Sequence, residues 1–469
     1  MARCYCRWRR VLICVCSPCI CLILLVLYAG IMVCTDMNRK TRQLSVDSIR
    51  SLQNKHFVAS GSFKSNTFAS LPKSFWKFHE EAFWNRLQVT IDRHFNPILK
   101  ASKTGTRIRN DSFYDSLLSH SFSDVMDLEI MKKKIELLPK QMQDFVRYMK
   151  RRNYPVVIQP SSSTCGAGSE NHKEPPLLLL AIKSTELNFK NRQAIRQTWG
   201  QIGWVVARRK NGTKQEVGGY IRRVFLIARD NFSNVGVDVS KLLQMEAQFY
   251  GDILQWDFSD TFFNLTLKDV LFWNWFSKRC GETRFIFKGD DDVFVNLPNI
   301  IAYLHEQLEK PNAEQTMKEF MVGDVIGAAS PNRLYHSKYF VPDSFYKGLY
   351  PTYAGGGGVI YSGRLAERLH DVSRRVHLFP IDDVFVGMCM ARLNASPVHH
   401  AAFLTFDFPK KEEAEPCAYH TILLVHKRSP TQLIELWDHM TKTREQCWNV
   451  PLRFSDQKKN AENEGKKHD

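Results

Sequence analysis

The sequence predicts an α/β domain with a central, mostly parallel sheet, preceded by a helical stem and a single N-terminal transmembrane helix. Two features of the 469-residue chain predict this architecture. One is a stretch of 24 residues without a charged side chain near the N-terminus. The other is an alternation of short apolar runs with amphipathic stretches after about residue 175. Strands that alternate with helices in this way usually form a sheet that is largely parallel.

The uncharged stretch, residues 11–34, reads VLICVCSPCICLILLVLYAGIMVC. It is long enough to cross a hydrocarbon core, which takes about 20 apolar residues. A cleavable signal peptide is the alternative, but its apolar core usually has about 7–15 residues and ends at a small-residue cleavage site. We therefore expect a retained signal anchor with a cytosolic tail at residues 1–10. No later segment is comparably long and apolar, which predicts a single-pass protein.

Composition divides the rest of the chain into three predicted segments. Residues 35–175 are low in glycine and contain helical patches such as residues 123–152, so we interpret them as a stem. Residues 176–447 carry the alternating apolar runs and form the predicted α/β domain. Residues 448–469 are polar and mixed in charge, which predicts a disordered tail.

Six runs carry the alternation within the α/β domain. They are PLLLLAIKS (176–184), RRVFLIARD (222–230), DILQWDF (252–258), LTLKDVLFWNWFSKRC (265–280), RFIFKGDDDVFVN (284–296) and NIIAYLHEQLEK (299–310). Their lengths and the order in which they follow one another are typical of strands connected by helices.

The chain carries 65 Lys and Arg residues against 48 Asp and Glu residues, a formal charge of +17 that invites comparison with nucleic-acid-binding proteins. The excess lies mainly before residue 176, because residues 1–175 carry +13 and residues 176–469 carry only +4. The positive charge therefore belongs to the anchor flank and the stem, and we expect no nucleic-acid partner.

Cysteines and glycosylation signals indicate the compartment. Five of the twelve cysteines lie outside the anchor region, and these are Cys165, Cys280, Cys389, Cys417 and Cys447. They lack the short spacing of a zinc site, and two disulfides with one remaining thiol would fit an oxidising lumen. Five Asn-X-Ser/Thr acceptor sites begin at Asn110, Asn211, Asn231, Asn264 and Asn394. Together with the anchor, these features predict a type II protein whose body faces the lumen of the secretory pathway.

The run RFIFKG reads as a buried strand and ends directly in Asp290, Asp291 and Asp292. Open α/β sheets bind ligands at the carboxyl ends of their strands. Three adjacent carboxylates repel one another in a partly buried place, and a divalent cation relieves that repulsion. Their oxygen atoms suit Mg²⁺ or Mn²⁺. A solvated acidic turn is the alternative, but the position at a strand end favours a metal site.

A second acidic pair, Asp382 and Asp383, follows Pro380 at the predicted start of a helix. A carboxylate in the first turn of a helix can simply stabilise the positive end of the helix dipole. The functional alternative is a general base, because a carboxylate beside a cation-bound substrate can accept a hydroxyl proton.

Three further features indicate ligand contacts. The segment YPTYAGGGGVIYSG, residues 350–363, contains four consecutive glycines that let a backbone approach a ligand closely, and Tyr350 and Tyr353 offer flat faces for sugar rings. Arg192 and Arg196 lie four residues apart and could clamp a phosphate from one helix face, or could simply be surface cations. His426 follows the apolar run TILLV as a candidate metal ligand or a strand-end histidine.

Eight motifs follow one another between residues 181 and 426, namely AIKS, RQAIRQTWG, DTFFNLTLK, FKGDDDVFVN, GDVI, YAGGGG, PIDDVFVGMC and LLVH. In this order they resemble glycosyltransferase family 31, the inverting β-1,3-glycosyltransferases of the Golgi. The resemblance extends over about residues 74–447 and includes FWNRLQ and FNPIL in the stem, near residues 83–99.

The resemblance implies a GT-A type fold and a Golgi membrane location. It also implies transfer of N-acetylglucosamine from UDP-GlcNAc to the 3-hydroxyl of a terminal galactose, as in poly-N-acetyllactosamine extension. By similarity, Asp383 is the catalytic base with Asp382 beside it, and Asp292, His426 and Asp290 hold Mn²⁺ or Mg²⁺. The residues implied for the UDP-sugar are Lys183, Arg192, Arg196, Lys288, Asp290 and Asp291. Those implied for the transferred sugar or the acceptor are Tyr353, Gly355, Gly356 and Gly357.

Two alternatives remain at this level. The donor could be UDP-galactose, because β-1,3-galactosyltransferases share most of these motifs. The chain could also be an inactive, membrane-anchored sugar-binding protein, although the intact acidic motifs and His426 argue against that. The class of galactose-terminated acceptor, and assembly with itself or with other glycosyltransferases, stay open.

Overall fold

The computed structural model describes residues 80–95, 111–126, 129–165, 175–209, 215–230, 238–408 and 410–453. The predicted cytosolic tail and transmembrane span, the acceptor sites at Asn110, Asn211 and Asn231, and residues 454–469 of the predicted C-terminal tail lie outside these ranges. Within the described ranges, no helix combines the length and the apolar character that a membrane crossing requires.

The described residues form twelve strands. In chain order they are β1 (Val156–Ile158), β2 (Leu178–Lys183), β3 (Gly203–Arg208), β4 (Glu216–Arg229), β5 (Ile253–Ser259), β6 (Phe285–Asp290), β7 (Phe294–Val295), β8 (Met321–Ile326), β9 (Tyr353–Ser362), β10 (Val398–His399), β11 (Phe403–Leu404) and β12 (Leu424–Val425). Nine of them form the central sheet in the order β1-β5-β4-β2-β6-β9-β8-β10, with β3 paired to β4. The other three form a small sheet in the order β11-β12-β7.

Thirteen α-helices occur in the same part of the chain. They are α1 (Phe83–Phe95), α2 (Asp111–Met126), α3 (Glu129–Glu136), α4 (Lys140–Tyr148), α5 (Phe189–Gln197), α6 (Val239–Tyr250), α7 (Leu265–Arg279), α8 (Leu297–Leu308), α9 (Ala313–Thr316), α10 (Gly363–Ser373), α11 (Asp382–Arg392), α12 (Lys410–Glu413) and α13 (Pro430–Thr443). The predicted helical patch of the stem corresponds to the end of α2 together with α3 and α4, where Pro139 separates the last two.

The sheet is mixed rather than mostly parallel. Its centre, β5-β4-β2-β6, is parallel throughout, as the alternation of strands and helices predicts. Antiparallel pairs lie outside that centre: β1 pairs with β5, β3 with β4, and β9 with both β6 and β8. The prediction of a mostly parallel sheet is therefore wrong for these pairs, although β10 at the edge of the sheet pairs in parallel with β8. A physical reason is visible at β9, which follows β8 through residues 327–352 without the crossover helix that a parallel connection needs.

The core lies on both faces of the sheet. Strand β2 shows why, since its six residues, LLLAIK, are all buried. Successive strand residues point to opposite faces, so Leu179 and Ala181 join one hydrophobic cluster and Leu178, Leu180 and Ile182 join the other. Helices α7, α10 and α11 cover the first face, and α5, α8 and α13 contribute to the second. An uninterrupted apolar strand is what a sheet covered on both faces requires.

The helices of the predicted stem pack on the first of these faces. Phe83 of α1, Phe122 of α2 and Phe145 of α4 belong to the same hydrophobic cluster as the residues of α7 and α11. The ring centroids of Phe83 and Phe122 lie 6.0 Å apart in an edge-to-face arrangement, and those of Phe145 and Phe345 lie 6.4 Å apart. These helices therefore share the core of the α/β domain.

Two disulfides join Cys165 to Cys280 and Cys417 to Cys447, and the thiol of Cys389 is buried and free. This arrangement confirms the expectation of two disulfides and one remaining thiol, and it supplies the connectivity that the sequence left open. The first disulfide links residue 165, before the sheet, to the residue that follows α7, and the second holds the segment before β12 against the region after α13.

Candidate active site

A cavity of about 680 Å³ opens at the edge of the sheet where β2 and β6 end and β9 begins. Lys183 is the last residue of β2, Asp290 is the last residue of β6, and the two are register partners in the parallel pair. Strand β9 runs antiparallel to β6, so its first residue, Tyr353, lies at the same edge. All three residues line the cavity. The predicted strand end before the acidic triplet is confirmed, and the cavity lies where open α/β sheets bind ligands.

Asp290, Asp292 and His426 form a cluster in this cavity that could hold a metal ion. One potential ligand atom from each residue lies within 4.8 Å of the others. The His426 Nε2 atom lies 3.3 Å from Asp292 Oδ1 and 4.0 Å from Asp290 Oδ2. His426 follows directly after β12, and that strand pairs with β7, just beyond the acidic triplet. The small sheet therefore brings His426 to residues that precede it by more than 130 positions.

The charges in this cluster conflict without a cation. Burial, together with the negative charges of Asp382 and Asp292, raises the pKa of Asp290 to about 7 in spite of the nearby Lys183. Burial lowers the pKa of the His426 imidazole, but Asp292 and Asp290 outweigh that effect and raise it. A divalent cation favours ionised carboxylates and a neutral imidazole. Two carboxylates and an imidazole are thus a suitable set of ligands.

Asp291, the middle residue of the triplet, has different partners. Its Oδ2 atom accepts hydrogen bonds from Ser184 Oγ at 2.6 Å and from Asn188 Nδ2 at 2.9 Å. Asn191 Nδ2 donates to its main-chain oxygen at 3.2 Å. Asp291 lines the cavity but is almost completely buried. These contacts hold the turn that carries its two neighbours, so its predicted contact with the UDP-sugar stays a prediction.

Asp382 and Asp383 are the first two residues of α11, which confirms the helix predicted to start at this pair. Lys183 forms a salt bridge with Asp382, and its Nζ atom lies 3.0 Å from Asp269 Oδ1. Lys288 Nζ lies 3.3 Å from Asp269 Oδ2, 3.6 Å from Asp383 Oδ1 and 3.9 Å from Asp382 Oδ2. Two lysines and three carboxylates thus form one network on the wall of the cavity.

The two neighbouring carboxylates of this network have very different pKa values. Burial would raise the pKa of Asp382, but Lys183 and Lys288 lower it to about 2. Burial and the negative charge of Asp382 raise the pKa of Asp383 to about 7, against the effect of the same lysines. Asp382 is therefore a permanent anion, whereas Asp383 can exchange a proton near neutral pH.

Asp269 lies behind this network, in the middle of α7, with no exposed surface. No motif-based inference assigned it a role. A signal was present, because Lys268 and Asp269 interrupt the otherwise apolar run LTLKDVLFWNWF. Charged residues are rarely buried unless they are paired, and here Lys268 contacts Asp260 at 2.8 Å while Asp269 contacts the two lysines of the cavity.

The four glycines belong to β9 rather than to a flexible linker. Gly355 and Gly356 line the cavity, as predicted for a backbone that approaches a ligand. Gly356 has a φ of +89°, and a Cβ atom there would overlap the Thr405 side chain. A Cβ atom at Gly357 would overlap Val293 and lie 2.9 Å from the His426 ring. The glycines therefore let the small sheet and His426 approach β9.

Arg192 and Arg196 share one face of α5, as their spacing predicts, but neither lines the cavity. Arg192 donates two hydrogen bonds to Glu246, at 2.8 and 2.7 Å. Arg196 donates to Asp252 at 2.9 and 2.7 Å, and it also contacts Glu246 at 2.6 Å. The prediction that these guanidinium groups bind UDP therefore disagrees with their position. Both are buried in ion pairs that join α5 to α6 and to Asp252, the residue before β5.

Several residues to which no motif assigned a role also line the cavity. Phe262 and Tyr339 meet edge to face at 5.2 Å, and Lys338 Nζ lies 5.1 and 5.0 Å from the two ring centroids. Phe406 also lines the cavity although 80% of its surface is exposed. Lys338, Tyr339 and Phe406 lie in loops, where apolar periodicity carries no information. Phe262 begins a short 3-10 helix before α7, within the motif DTFFNLTLK.

Two of the five predicted glycosylation sites lie in the described ranges. Asn394 is exposed and has a φ of 55°, in the turn after α11. Asn264 is half-buried, and its Nδ2 atom donates to the Ser259 carbonyl oxygen at 2.8 Å.

Comparison with known proteins identifies the family. The galactosyltransferase family model matches residues 190–401. Human N-acetyllactosaminide beta-1,3-N-acetylglucosaminyltransferase 2 is 40% identical over 383 residues, which cover 80% of this chain and 89% of that protein. The chain belongs to the galactosyltransferase family. This confirms the resemblance to glycosyltransferase family 31, and the protein is therefore a glycosyltransferase.

Other members of the galactosyltransferase family are similar over slightly shorter ranges. Mouse N-acetyllactosaminide beta-1,3-N-acetylglucosaminyltransferase 4 is 38% identical over 313 residues, 66% of this chain and 81% of that protein. Bovine UDP-GlcNAc:betaGal beta-1,3-N-acetylglucosaminyltransferase 9 is 39% identical over 314 residues, 63% of this chain and 73% of that protein. Among solved structures, the apo structure of the WbbM bifunctional glycosyltransferase covers 76% of this chain and 69% of its own, with 9% identity and a TM-score of 0.28. A TM-score that low carries no argument about the fold.

The cavity of this galactosyltransferase family member contains most of the residues that the motifs predicted. Eleven line it, and they are Lys183, Lys288, Asp290, Asp291, Asp292, Tyr353, Gly355, Gly356, Asp382, Asp383 and His426. Gly357 packs behind the cavity, and Arg192 and Arg196 lie elsewhere.

Proposed function

We propose that this glycosyltransferase transfers N-acetylglucosamine from UDP-GlcNAc to the 3-hydroxyl of a terminal β-galactose, with inversion at the anomeric carbon. The observation that carries the proposal is that one cavity combines a candidate cation site with a carboxylate that can exchange a proton near neutral pH, Asp383. The donor and the acceptor follow from the names of the relatives, which are β-1,3-N-acetylglucosaminyltransferases acting on β-galactose or N-acetyllactosamine.

The candidate cation is Mn²⁺ or Mg²⁺, held by Asp290, Asp292 and His426. When bound, it would neutralise the negative charge that grows on the UDP diphosphate as the glycosidic bond breaks. Two observations support a cation at this position, namely the raised pKa of Asp290 and the three potential ligand atoms that lie within 4.8 Å of one another. Ser184 and Asn188, through Asp291, hold the turn on which two of these ligands lie.

Asp383 is the better general base of the α11 pair. A base acts most effectively when its pKa lies near the working pH, because it must be ionised and must still bind a proton during the reaction. The pKa of Asp383 is raised to about 7, whereas that of Asp382 is lowered to about 2. Asp382, bound by Lys183, instead keeps the lysine network in place and raises the proton affinity of its neighbour.

A single displacement follows from one base acting on one face of the sugar. Asp383 accepts the proton of the galactose 3-hydroxyl while that oxygen attacks the anomeric carbon from the side opposite UDP, which produces a β linkage. Lys288, 3.6 Å from Asp383, is placed to limit the charge repulsion between this carboxylate and the donor phosphates. Tyr353 and Gly355, at the start of β9, lie where the sugar rings would have to fit.

The proposal includes a GT-A type fold and a type II orientation in the Golgi membrane. Residues 11–34 would form the anchor, and the described domain would face the lumen. The two disulfides support a lumenal location, because disulfides persist in oxidising compartments and are rare in the cytosol.

A donor and acceptor screen tests the proposal. The purified full-length chain is incubated with UDP-GlcNAc or UDP-galactose, with Mn²⁺, Mg²⁺ or a chelator, and with galactose-terminated acceptors of the N-glycan, O-glycan and glycolipid types. We expect transfer from UDP-GlcNAc that requires the cation, and a β-1,3 linkage in the product. Preferred use of UDP-galactose would identify a β-1,3-galactosyltransferase instead, and absence of transfer from both donors would contradict the proposal.

A further inference from the structure

Helix α1 carries three completely buried side chains at intervals of four residues, Trp84, Gln88 and Asp92. Residues four apart lie on the same helix face, so the three form one stripe about 12 Å long at a rise of about 1.5 Å per residue. Complete burial of a glutamine and an aspartate is unfavourable unless their polar atoms are hydrogen bonded. The partners of this stripe therefore indicate what α1 does.

The first partner is the main chain at residues 375–379, immediately before α11. Trp84 Nε1 donates to the Leu378 carbonyl oxygen at 3.0 Å. Gln88 Nε2 donates to the Arg375 carbonyl oxygen at 2.9 Å, and Gln88 Oε1 accepts from the His377 amide at 2.8 Å. Hydrogen bonds from one helix thus hold this segment at three places.

The second partner is the last residue of α11, Arg392. Its Nε and Nη2 atoms donate to the two carboxylate oxygens of Asp92, at 3.1 and 2.9 Å, and both side chains are at most 1% exposed. Gln88 Nε2 also donates to Asp92 Oδ1 at 3.1 Å, which connects the two parts of the stripe. A bidentate, buried guanidinium–carboxylate pair has a strongly directional geometry.

Helix α1 therefore holds α11 from both sides. Helix α11 has 11 residues and is about 16 Å long, and its first turn carries Asp382 and Asp383, only a few residues after the segment that Trp84 and Gln88 bind. The lysines of the cavity contact the carboxylates of this pair. The main chain before them is held by the contacts with α1, together with Arg152 on the Val376 carbonyl oxygen and Thr266 on the Phe379 carbonyl oxygen.

We propose that Gln88 and Asp92 are positioning residues for catalysis. By holding both ends of α11, they set where the Asp383 carboxylate lies relative to the bound sugars, which makes α1 part of the catalytic unit although the sequence assigns it to the stem. The proposal rests on the proposed function, because it takes Asp383 as the general base. A displacement of about 1 Å at a reacting group can lower the rate about 100-fold, so even a small loss of this support should be measurable.

The variant Gln88→Met tests the proposal in the full-length chain. Methionine keeps the length and the burial of glutamine but removes the hydrogen bonds to residues 375 and 377 and the one to Asp92. Thr90→Val is the matched control on the same helix, because the Thr90 hydroxyl donates only within α1, to the Arg86 carbonyl oxygen at 3.3 Å. We measure kcat and KM for UDP-GlcNAc, the stoichiometry of UDP binding with Mn²⁺, and the melting temperature.

We expect kcat per UDP-binding molecule to fall about 10- to 100-fold in Gln88→Met. The KM for the donor should stay within about twofold of the wild-type value, because the cluster at Asp290, Asp292 and His426 does not contact α1. Thr90→Val should resemble the wild type in all three measurements. If the activity falls only in proportion to the fraction of molecules that bind UDP, so that kcat per UDP-binding molecule is unchanged, the role of Gln88 is purely structural and the proposal is overturned.

The double variant Asp92→Leu/Arg392→Met serves as the second test. Replacing a buried ion pair by apolar residues of similar size often preserves stability, so a folded protein with a lowered kcat is expected. If the wild type transfers N-acetylglucosamine, an unchanged kcat in this variant or in Gln88→Met contradicts the positioning role but not the proposed function. If the wild type itself does not transfer it, the proposed function is wrong.

Discussion

Replacing Asp383 by asparagine should abolish transfer and leave binding of UDP nearly intact. Asparagine has almost the size of aspartate and can occupy the same place near Lys288, but it cannot accept the proton of the acceptor hydroxyl. General base catalysis contributes about 100- to 10,000-fold to a rate, so kcat should fall by at least about 100-fold. UDP binding should change little, because none of the three candidate metal ligands is altered.

The pH dependence gives the same prediction a second, quantitative form. The pKa of Asp383 is raised to about 7 by burial and by Asp382, and the base works only when it is ionised. Activity is therefore expected to fall as the pH decreases through 7, with about one tenth of the maximal kcat/KM left at pH 6 and about one hundredth at pH 5. In Asp383→Asn, at a saturating concentration of Mn²⁺, the residual rate should lose this dependence.

Transfer of radiolabelled N-acetylglucosamine to a galactose-terminated acceptor, measured from pH 5 to 8, supplies both tests. Protonation of Asp290, whose pKa is also raised to about 7, competes with cation binding. Repeating the pH profile at several Mn²⁺ concentrations separates the effect of Asp290 from that of Asp383. Only the part of the pH dependence that comes from the metal site changes with the concentration of the cation. Asp371→Asn makes the same chemical change at an exposed position and should behave as the wild type. A full rate in Asp383→Asn, or a wild-type rate that is constant over this range, would refute the assignment of the base.

Three further predictions follow from the cation cluster, the buried ion pairs and the second disulfide. Asp292→Ala should weaken UDP binding in the presence of Mn²⁺ and leave UDP binding without the cation unchanged. Calorimetric titration with and without Mn²⁺ measures both affinities, and a variant that binds UDP with Mn²⁺ as tightly as the wild type does would contradict the prediction. Arg196→Met should lower the free energy of unfolding by about 3–5 kcal/mol, because two buried carboxylates lose a partner, while the UDP affinity of the folded protein stays the same; a lowered affinity at an unchanged melting temperature would instead support phosphate binding. Loss of the disulfide in Cys417→Ala/Cys447→Ala, which closes a segment of 30 residues, should lower the free energy of unfolding by about 4 kcal/mol, and an unchanged melting temperature in non-reducing buffer would disagree with that value.

The sequence was most informative where a functional group coincides with the end of a regular element. The apolar run RFIFKG predicts a buried strand, and the structure ends β6 at Asp290. Pro380 and the acidic pair predict the start of a helix, and α11 begins at Asp382. Strand and helix ends depend mainly on neighbouring residues, so a local pattern predicts them well.

The sequence was misleading where residue spacing places two side chains on one helix face but does not show which residues pack against that face. Arg192 and Arg196 lie on one face of α5, as their spacing predicts, and phosphate binding was a reasonable interpretation of two adjacent guanidinium groups. The structure places Glu246 and Asp252 against that face, and these residues lie about 50 positions further along the chain. Only the positions of Glu246 in α6 and of Asp252 before β5 show that the two arginines already have their counter-ions.

The outer strands of the sheet show the same limit. Alternation of strands and helices predicts the parallel centre from β5 to β6, because a crossover helix leaves little choice of direction. It does not predict that β9 enters antiparallel between β6 and β8, since the long connection before it contains no regular pattern. The antiparallel direction brings the glycines of β9 to the cavity edge.

The sequence by itself determined the family, the kinds of side chain available for a cation and for a base, the positions of the strand and the helix that present them, and the number of disulfides. The tertiary structure alone decided how those side chains work together. Lys183 and Lys288 lower the pKa of Asp382, whereas burial and the charge of Asp382 raise the pKa of Asp383. Helix α1 holds the helix on which that pair lies. The physical reason is that charge interactions and burial depend on distances in space between residues that lie from about 90 to 300 positions apart in the chain, and no periodicity along the sequence encodes those distances.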